Sequence, residues 1–108
     1  MIRVLYFSTA KAGLTEDELN EMVTQWQADN AARGVTGALA FNGRNFCQVL
    51  EGEEQVVRDL IAATEKDPRH SGFKILDEKQ IVTRHFDSWS MKRVRDLNFG
   101  EVINAMKF

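Results

Sequence analysis

The sequence predicts an α+β domain of ferredoxin-like topology, β-α-β-β-α-β, with one additional C-terminal strand. Two observations carry this prediction. Strand-like apolar runs and helix-like apolar spacing follow one another along the chain in that order, and an Asn-Gly dipeptide joins the two middle strands. Because strand crossovers are right-handed, we expect both helices on one face of the sheet. The 108 residues suffice for one domain that buries roughly two-thirds of its unfolded surface.

The first strand and the first helix have the clearest patterns. Residues 2–8 are apolar on both faces, which is typical of a central strand that is buried on two sides. Thr15 and Glu18 form a capping box at a helix start. The apolar residues that follow have helical spacing, and we expect this helix to end at about Asn30 or Ala32. They are Leu19, Met22, Val23 and Trp26.

The middle of the chain predicts a hairpin and a second helix. Strands at residues 35–41 and 44–50 are joined through Asn42-Gly43, where both turn positions tolerate a positive φ. The second helix should end at Asp67-Pro68, because the residue before a proline is disfavoured in the helical conformation. Its apolar positions are Val56, Val57, Leu60 and Ile61.

The last third of the chain predicts two strands and a helical tail. Residues 73–76 and 81–82 indicate a strand with a bulge or turn at Asp77-Glu78, and residues 85–91 indicate the last strand. Apolar residues in the tail again have helical spacing, so we expect one amphipathic helix that covers the open face of the sheet. They are Phe99, Val102, Ile103 and Met106. We therefore expect a domain at residues 1–91 and a tail at 92–108.

Composition excludes several classes of function. The net charge is −2 with both signs interspersed, so no basic face for nucleic acid is expected. No apolar run approaches the roughly 20 residues of a membrane span. The single Cys47 excludes an internal disulfide and a multi-cysteine metal site, and it suits a reducing, cytoplasmic compartment. His70 and His85 lack metal-ligand spacing, and no hydrolase, phosphate-loop or dinucleotide motif is present.

The most informative residue is Gln48, a carboxamide in the middle of a predicted buried strand. A buried glutamine must find partners for one acceptor oxygen and two donor hydrogens. Tyr6, the only tyrosine, lies on another predicted strand and is the obvious protein partner. The two side chains could form a closed structural pair, or they could face a ligand.

Other polar and aromatic residues have an ordinary and a functional interpretation. Asn30 could be a polar helix cap, or it could present its amide to the C=O/N–H edge of an imide such as the flavin pyrimidine ring. Trp89 and Met91 share one face of the last predicted strand and could be core. Arg69 and His70, after the second helix, could be a solvated loop or could balance a phosphate.

Together these residues form a pattern that resembles the BLUF family of blue-light sensors that use FAD. The resemblance spans residues 1 to about 91. It rests on Tyr6 with Ser8, Asn30 before residues 34–39, the run Phe46-Cys47-Gln48-Val49-Leu50-Glu51-Gly52-Glu53, Asp67-Pro68-Arg69-His70, and residues 84–91 with Trp89-Ser90-Met91.

The resemblance implies a non-covalent flavin between the two helices, over the sheet. FAD is the expected cofactor, and FMN or riboflavin could replace it in vitro. Tyr6 matches the light-sensing tyrosine, Gln48 the switching glutamine and Asn30 the asparagine that binds the polar edge of the flavin. The remaining matches are Ser8, Trp89 and Met91 around that network, Met22 and Thr64 beside the ring, and Arg69 and His70 after the second helix.

The implied function is a photosensor whose light-driven change in a Tyr-Gln-flavin hydrogen-bond network is relayed to an effector. Such a change resets thermally without net turnover, so we expect a switch and not an enzyme. We expect an effector protein or domain that contacts the last strand and the tail, and we leave a homodimer open. Asp29 stands where relatives often have Asn or His, so it could tune the flavin or face water. The alternative is a ferredoxin-like small-molecule-binding regulatory module without photochemistry. A hydrolase of acylphosphatase type is disfavoured, because residues 8–13 contain only Lys11 as a basic residue.

Overall fold

A computed structural model describes residues 1–86, 92–94 and 99–108 of the chain. The elements are β1 Ile2–Ala10, α1 Glu16–Ala32, β2 Thr36–Phe41, β3 Asn45–Gly52, α2 Glu54–Glu65, β4 His70–Gln80, β5 Lys92–Val94, α3 Phe99–Asn104 and a 3₁₀ turn at Ala105–Lys107. The strands form one sheet in the order β4-β1-β3-β2-β5, with β5 parallel to β2 and the other neighbours antiparallel. The predicted ferredoxin-like fold with an additional strand is confirmed.

One face of the sheet packs against both long helices, as predicted. β1 alternates between the two faces, so Ile2, Val4 and Tyr6 join the helix-facing core. The capping box at the start of α1 is present, with the Thr15 hydroxyl accepting from the Glu18 backbone N–H at 3.1 Å. The helical residues of this core are Leu19, Met22, Val23, Trp26, Val57, Leu60 and Ile61.

A second buried cluster covers the opposite face of the sheet. Leu5, Cys47 and Val49 point to this side, and they pack with Val102 of α3 and with Ala105 of the 3₁₀ turn. The sheet is therefore covered on both faces. The helices cover one face of the central strands, and the tail covers the other face. This agrees with the sequence pattern of these strands, which is apolar on both faces.

The end of the sheet differs from the sequence prediction in three ways. β4 continues through Asp77 and Glu78, and the predicted irregularity lies one residue earlier, at Leu76, because Leu5 pairs with Asp77 and Tyr6 pairs with Ile75. Residues 81–82 are not part of a strand. Residues 85–86, predicted to begin the last strand, lie in bends, and the rest of that prediction falls outside the described residues.

The β2–β3 pair is locked by its turn and by one close approach. Asn42-Gly43 forms the predicted turn, with Gly43 at a φ of 94° and the Asn42 side chain accepting from the backbone N–H of Asn45 at 2.7 Å. Gly37 lies opposite Leu50, and a Cβ atom there would lie 2.0 Å from the Val49 carbonyl oxygen. Only glycine fits at this position.

Candidate functional site

Tyr6 and Gln48 lie directly opposite each other in the β1–β3 ladder. Both are 1% exposed. Tyr6 belongs to the helix-facing core, and Gln48 shares its face because Phe46 and Leu50, two positions away on either side, belong to that core too. Opposed residues on one sheet face have Cβ atoms roughly 5 Å apart, so the phenol and the carboxamide are neighbours under the two helices.

The Gln48 carboxamide is buried without any partner among the described residues. Neither its Nε2 nor its Oε1 makes a hydrogen bond there. A closed hydrogen-bonded pair with Tyr6 is therefore ruled out. A buried polar group that lacks a partner costs about 1–3 kcal/mol, so such a group in a well-packed core calls for an explanation. The free donor and acceptor fit a ligand that presents both an acceptor and a donor.

Burial also determines the protonation state of Tyr6. Desolvation raises the pKa of its phenol well above the usual range, so the hydroxyl keeps its proton at any ordinary pH. Its ring packs against Phe73 of β4 with centroids 4.7 Å apart. Tyr6 is thus a neutral phenol, held in place on the strand that carries it.

Three more of the predicted cofactor residues lie on the helix side of the sheet. Asn30 is 2% exposed in the last turn of α1, and its backbone oxygen accepts from the Val35 N–H at 2.9 Å, which fixes the exit of the helix. Met22 is fully buried on α1, and Thr64 is buried on α2. Asp29, by contrast, is exposed, which favours the interpretation that it faces water.

Ser8 and His70 are joined by a hydrogen bond that the sequence did not indicate. His70 Nε2 lies 2.6 Å from the Thr64 carbonyl oxygen, which can only accept, so Nε2 carries a proton. His70 Nδ1 lies 2.8 Å from the Ser8 hydroxyl oxygen, so the imidazole links β1 to α2. Trp26 lies against the same imidazole, with ring centroids 5.8 Å apart. The sequence pattern alone placed His70 in a solvated loop, whereas it is buried at the start of β4.

Arg69 is committed to partners within the protein. Its guanidinium pairs with the Asp67 carboxylate at 2.6 Å and donates to Gln25 Oε1 at 2.9 Å. The hydrogen bond from Arg69 lowers the pKa of Asp67 below its usual range. Arg69 and His70 therefore brace the joint between α2 and β4. Trp89 and Met91, predicted around the same network, lie outside the described residues.

The described part of the chain contains neither a cluster of metal ligands nor a helix that could span a membrane. No group of three or more His, Cys, Asp or Glu side chains there could hold a metal ion. None of the helices described is long and apolar enough to cross a bilayer. Cys47 faces the tail side of the sheet, where burial raises the pKa of its thiol to about 11. The distinctive polar feature of the helix side is thus the unpartnered Gln48 amide beside Tyr6.

A family model described as BLUF, sensors of blue light using FAD, matches residues 1–92. The chain belongs to the BLUF family. The blue light- and temperature-regulated antirepressor BluF of Escherichia coli (strain K12) is 43% identical over 53 residues, which are 49% of this chain and 13% of that protein. Subunit beta of the photoactivated adenylate cyclase of Euglena gracilis is 32% identical over 74 residues, 68% of this chain and 9% of that protein.

Solved BLUF structures share the fold across almost the whole chain. The ground state of BlsA superposes with a TM-score of 0.84 at 30% identity, covering 98% of this chain and 72% of that one. The chain spans about an eighth or less of the curated relatives' length, at 13% and 9%. As a BLUF domain it is a flavin-binding sensor of blue light, and FAD is the cofactor of the family. The unpartnered donor and acceptor of Gln48 fit the polar edge of that cofactor.

Proposed function

We propose that this BLUF domain senses blue light by switching the hydrogen bonds of the Gln48 amide beside Tyr6. The observation that carries the proposal is that both polar atoms of this amide are buried and lack a partner within the described residues. An amide placed in this way can rotate and exchange its donor and its acceptor without breaking a bond to the protein. It is therefore free to take either of two hydrogen-bonded arrangements with a cofactor above the sheet.

Tyr6 is the donor in this proposal. FAD, when bound, supplies a ring system that blue light converts into a strong electron acceptor. Burial keeps the Tyr6 proton on its oxygen in the dark. Tyr6 is also the single tyrosine of the chain and lies directly opposite Gln48. An electron and a proton that leave Tyr6 and return to it give Gln48 the opportunity to rotate, with no net turnover.

The cradle for the cofactor is formed by the two helices and the sheet between them. Asn30 supplies a buried amide at the end of α1, while Met22 and Thr64 supply walls from α1 and α2. Arg69 and His70 brace the end of α2 through Asp67, Thr64 and Ser8, and we assign them to shaping the cradle. Because both side chains already have partners within the protein, we assign direct binding of phosphate to them only as a secondary role.

In this proposal, the light-driven change is transmitted to an effector protein or domain through the last strand and the tail. Relatives include a photoactivated adenylate cyclase subunit, a bacterial light-regulated adenylyl cyclase and an antirepressor, so BLUF domains are associated with different effectors. Ser8, Trp89 and Met91 are the proposed links between the photoactive pair and that output. A cytoplasmic location agrees with the single free, buried Cys47.

The test is an absorption spectrum of the FAD-loaded protein before and after blue illumination. We expect one non-covalent FAD per chain and a reversible red shift. Gln48→Leu should retain FAD, because it removes one hydrogen-bonding group among many ring contacts, and should lose the shift. Gln55→Leu, at an exposed position of α2, is the matched control and should shift normally.

Three outcomes would contradict the proposal at different levels. A protein that stays colourless after reconstitution with FAD would overturn the flavoprotein assignment of this chain. A yellow protein without a red shift would favour the binding module that lacks photochemistry. A normal shift in Gln48→Leu would remove Gln48 from the switching role.

A further inference from the structure

A buried ion pair lies on the sheet face opposite the photoactive pair. Arg3 and Glu51 are direct partners in the same β1–β3 ladder that pairs Tyr6 with Gln48. Arg3 Nε donates to Glu51 Oε2 at 2.8 Å, and the two side chains are 2% and 0% exposed. Glu51 follows Gln48 by three positions, so strand alternation places its carboxylate on the tail side of the sheet.

The Glu51 carboxylate holds the backbone of the segment that follows β4. Its Oε2 accepts from the His85 N–H at 2.8 Å, and its Oε1 accepts from the Phe86 N–H at 2.7 Å. Arg84 adds a contact from the same segment, because its Nη1 donates to the Glu51 backbone oxygen at 3.2 Å. The side chain of Glu51 thus holds two consecutive backbone amides, and its backbone oxygen holds the Arg84 side chain beside them.

A contribution to stability does not by itself explain this buried ion pair. Replacing a buried ion pair by apolar side chains of similar volume is often neutral or stabilising, because burial costs both ions their hydration. Here the pair is also incompletely satisfied, since Arg3 Nη1 is buried and makes no hydrogen bond to any residue that the structure describes. What the pair does provide is a directional contact between β3 and two specific backbone amides.

We propose that Glu51 is a positioning residue that couples the light-driven change at Gln48 to the backbone at His85 and Phe86. Gln48 and Glu51 are carried by one strand, and each faces a partner on β1. A change in the hydrogen bonds of Gln48 that shifts β3 against β1 moves the carboxylate relative to the amides it binds. Arg3 holds the carboxylate in place through the hydrogen bond from its Nε. The coupling rests on the proposed switching of Gln48.

The test is hydrogen exchange of the His85 and Phe86 amides in the FAD-loaded protein, in the dark and under blue light. The double variant Arg3→Met/Glu51→Leu removes the pair while keeping volume in the core. We expect dark exchange at these two amides to rise roughly ten- to hundredfold, because each loses a charged acceptor. The red shift should remain, and the difference in exchange between light and dark at these amides should disappear.

Arg58→Met/Glu78→Leu is the matched control, because it removes an ion pair whose side chains are 40% and 44% exposed. It should leave exchange at His85 and Phe86 unchanged. Glu51→Gln is a milder second variant, useful should the double variant fail to fold. It retains one carbonyl oxygen and should deprotect one of the two amides more than the other.

The outcomes separate the coupling from the proposed function. A difference in exchange between light and dark that persists in the double variant, or in Glu51→Gln at the amide that loses its acceptor, overturns the coupling while the sensor proposal stands. Unchanged dark exchange in both variants overturns the anchoring itself. A wild-type protein with no red shift overturns the proposed function and the light coupling together, while dark exchange still reports on the anchor.

Discussion

At the scale of single residues, the sequence predicted that Tyr6 and Gln48 are neighbours but not whether they bond to each other. Tyr6 and Gln48 could be predicted as neighbours, because a lone tyrosine and a carboxamide occupy matching positions in two buried strands. Whether they bond to each other depends on atomic placement, and the structure shows that the amide has no partner within the described chain. The position of His70 was missed, because its hydrogen bond to Ser8 joins residues that are 62 positions apart in sequence.

Tyr6→Phe tests the role of the phenol. The change removes one hydroxyl and leaves the ring, which packs 4.7 Å from Phe73, so the fold and FAD binding should be retained. The productive photocycle should be abolished, because the chain has no second tyrosine that could supply the electron and the proton. Steady-state and time-resolved absorption of the FAD-loaded variant measure the effect. A red-shifted state of full amplitude would show that Tyr6 is structural.

At the scale of elements, strong local patterns predicted the helices and the inner strands. The capping box of α1 and the Asn42-Gly43 turn lie within a few residues of what they control. β4 was harder to predict, because it is an edge strand that is exposed over much of its length and lacks a clean alternation. The three-residue β5 is too short to leave a pattern, and its parallel pairing with β2 depends on the whole fold.

Gly37→Ala tests the closest backbone approach in the sheet. A Cβ atom at this position would lie 2.0 Å from the Val49 carbonyl oxygen, so β2 and β3 would have to separate. We expect a loss of at least about 1–3 kcal/mol in the free energy of unfolding, measured by urea denaturation. Gly52→Ala is the control, because its Cβ would lie 3.4 Å from the Val35 and Val57 side chains and 3.6 Å from the Gly34 carbonyl oxygen, which are ordinary contact distances. Equal losses in the two variants would contradict this explanation.

At the scale of the whole molecule, the sheet separates two tasks. The helix side carries Tyr6 and Gln48, the proposed photoactive pair, and the tail side carries the second core together with the Arg3–Glu51 ion pair. The helical spacing of apolar residues in the tail was visible in the sequence. That the tail helix covers the face of the sheet opposite α1 and α2 could only be inferred, because no other predicted element was left to cover that face. The ion pair was not predicted, because charged residues inside strands gave no indication that they pair across the ladder.

Val102→Asp tests whether α3 seals the tail side of the sheet, with Cys47 as the reporter. Val102 is fully buried in the same cluster as Cys47, whose thiol is protected by burial and by a pKa of about 11. Burying an unpaired carboxylate there should undock the helix and raise the rate of thiol labelling roughly a hundredfold. Ile103→Asp places the same charge at a neighbouring position that is 45% exposed, and it should label at the wild-type rate. Circular dichroism distinguishes local undocking from global unfolding, and equal labelling of both variants would show that α3 does not protect Cys47.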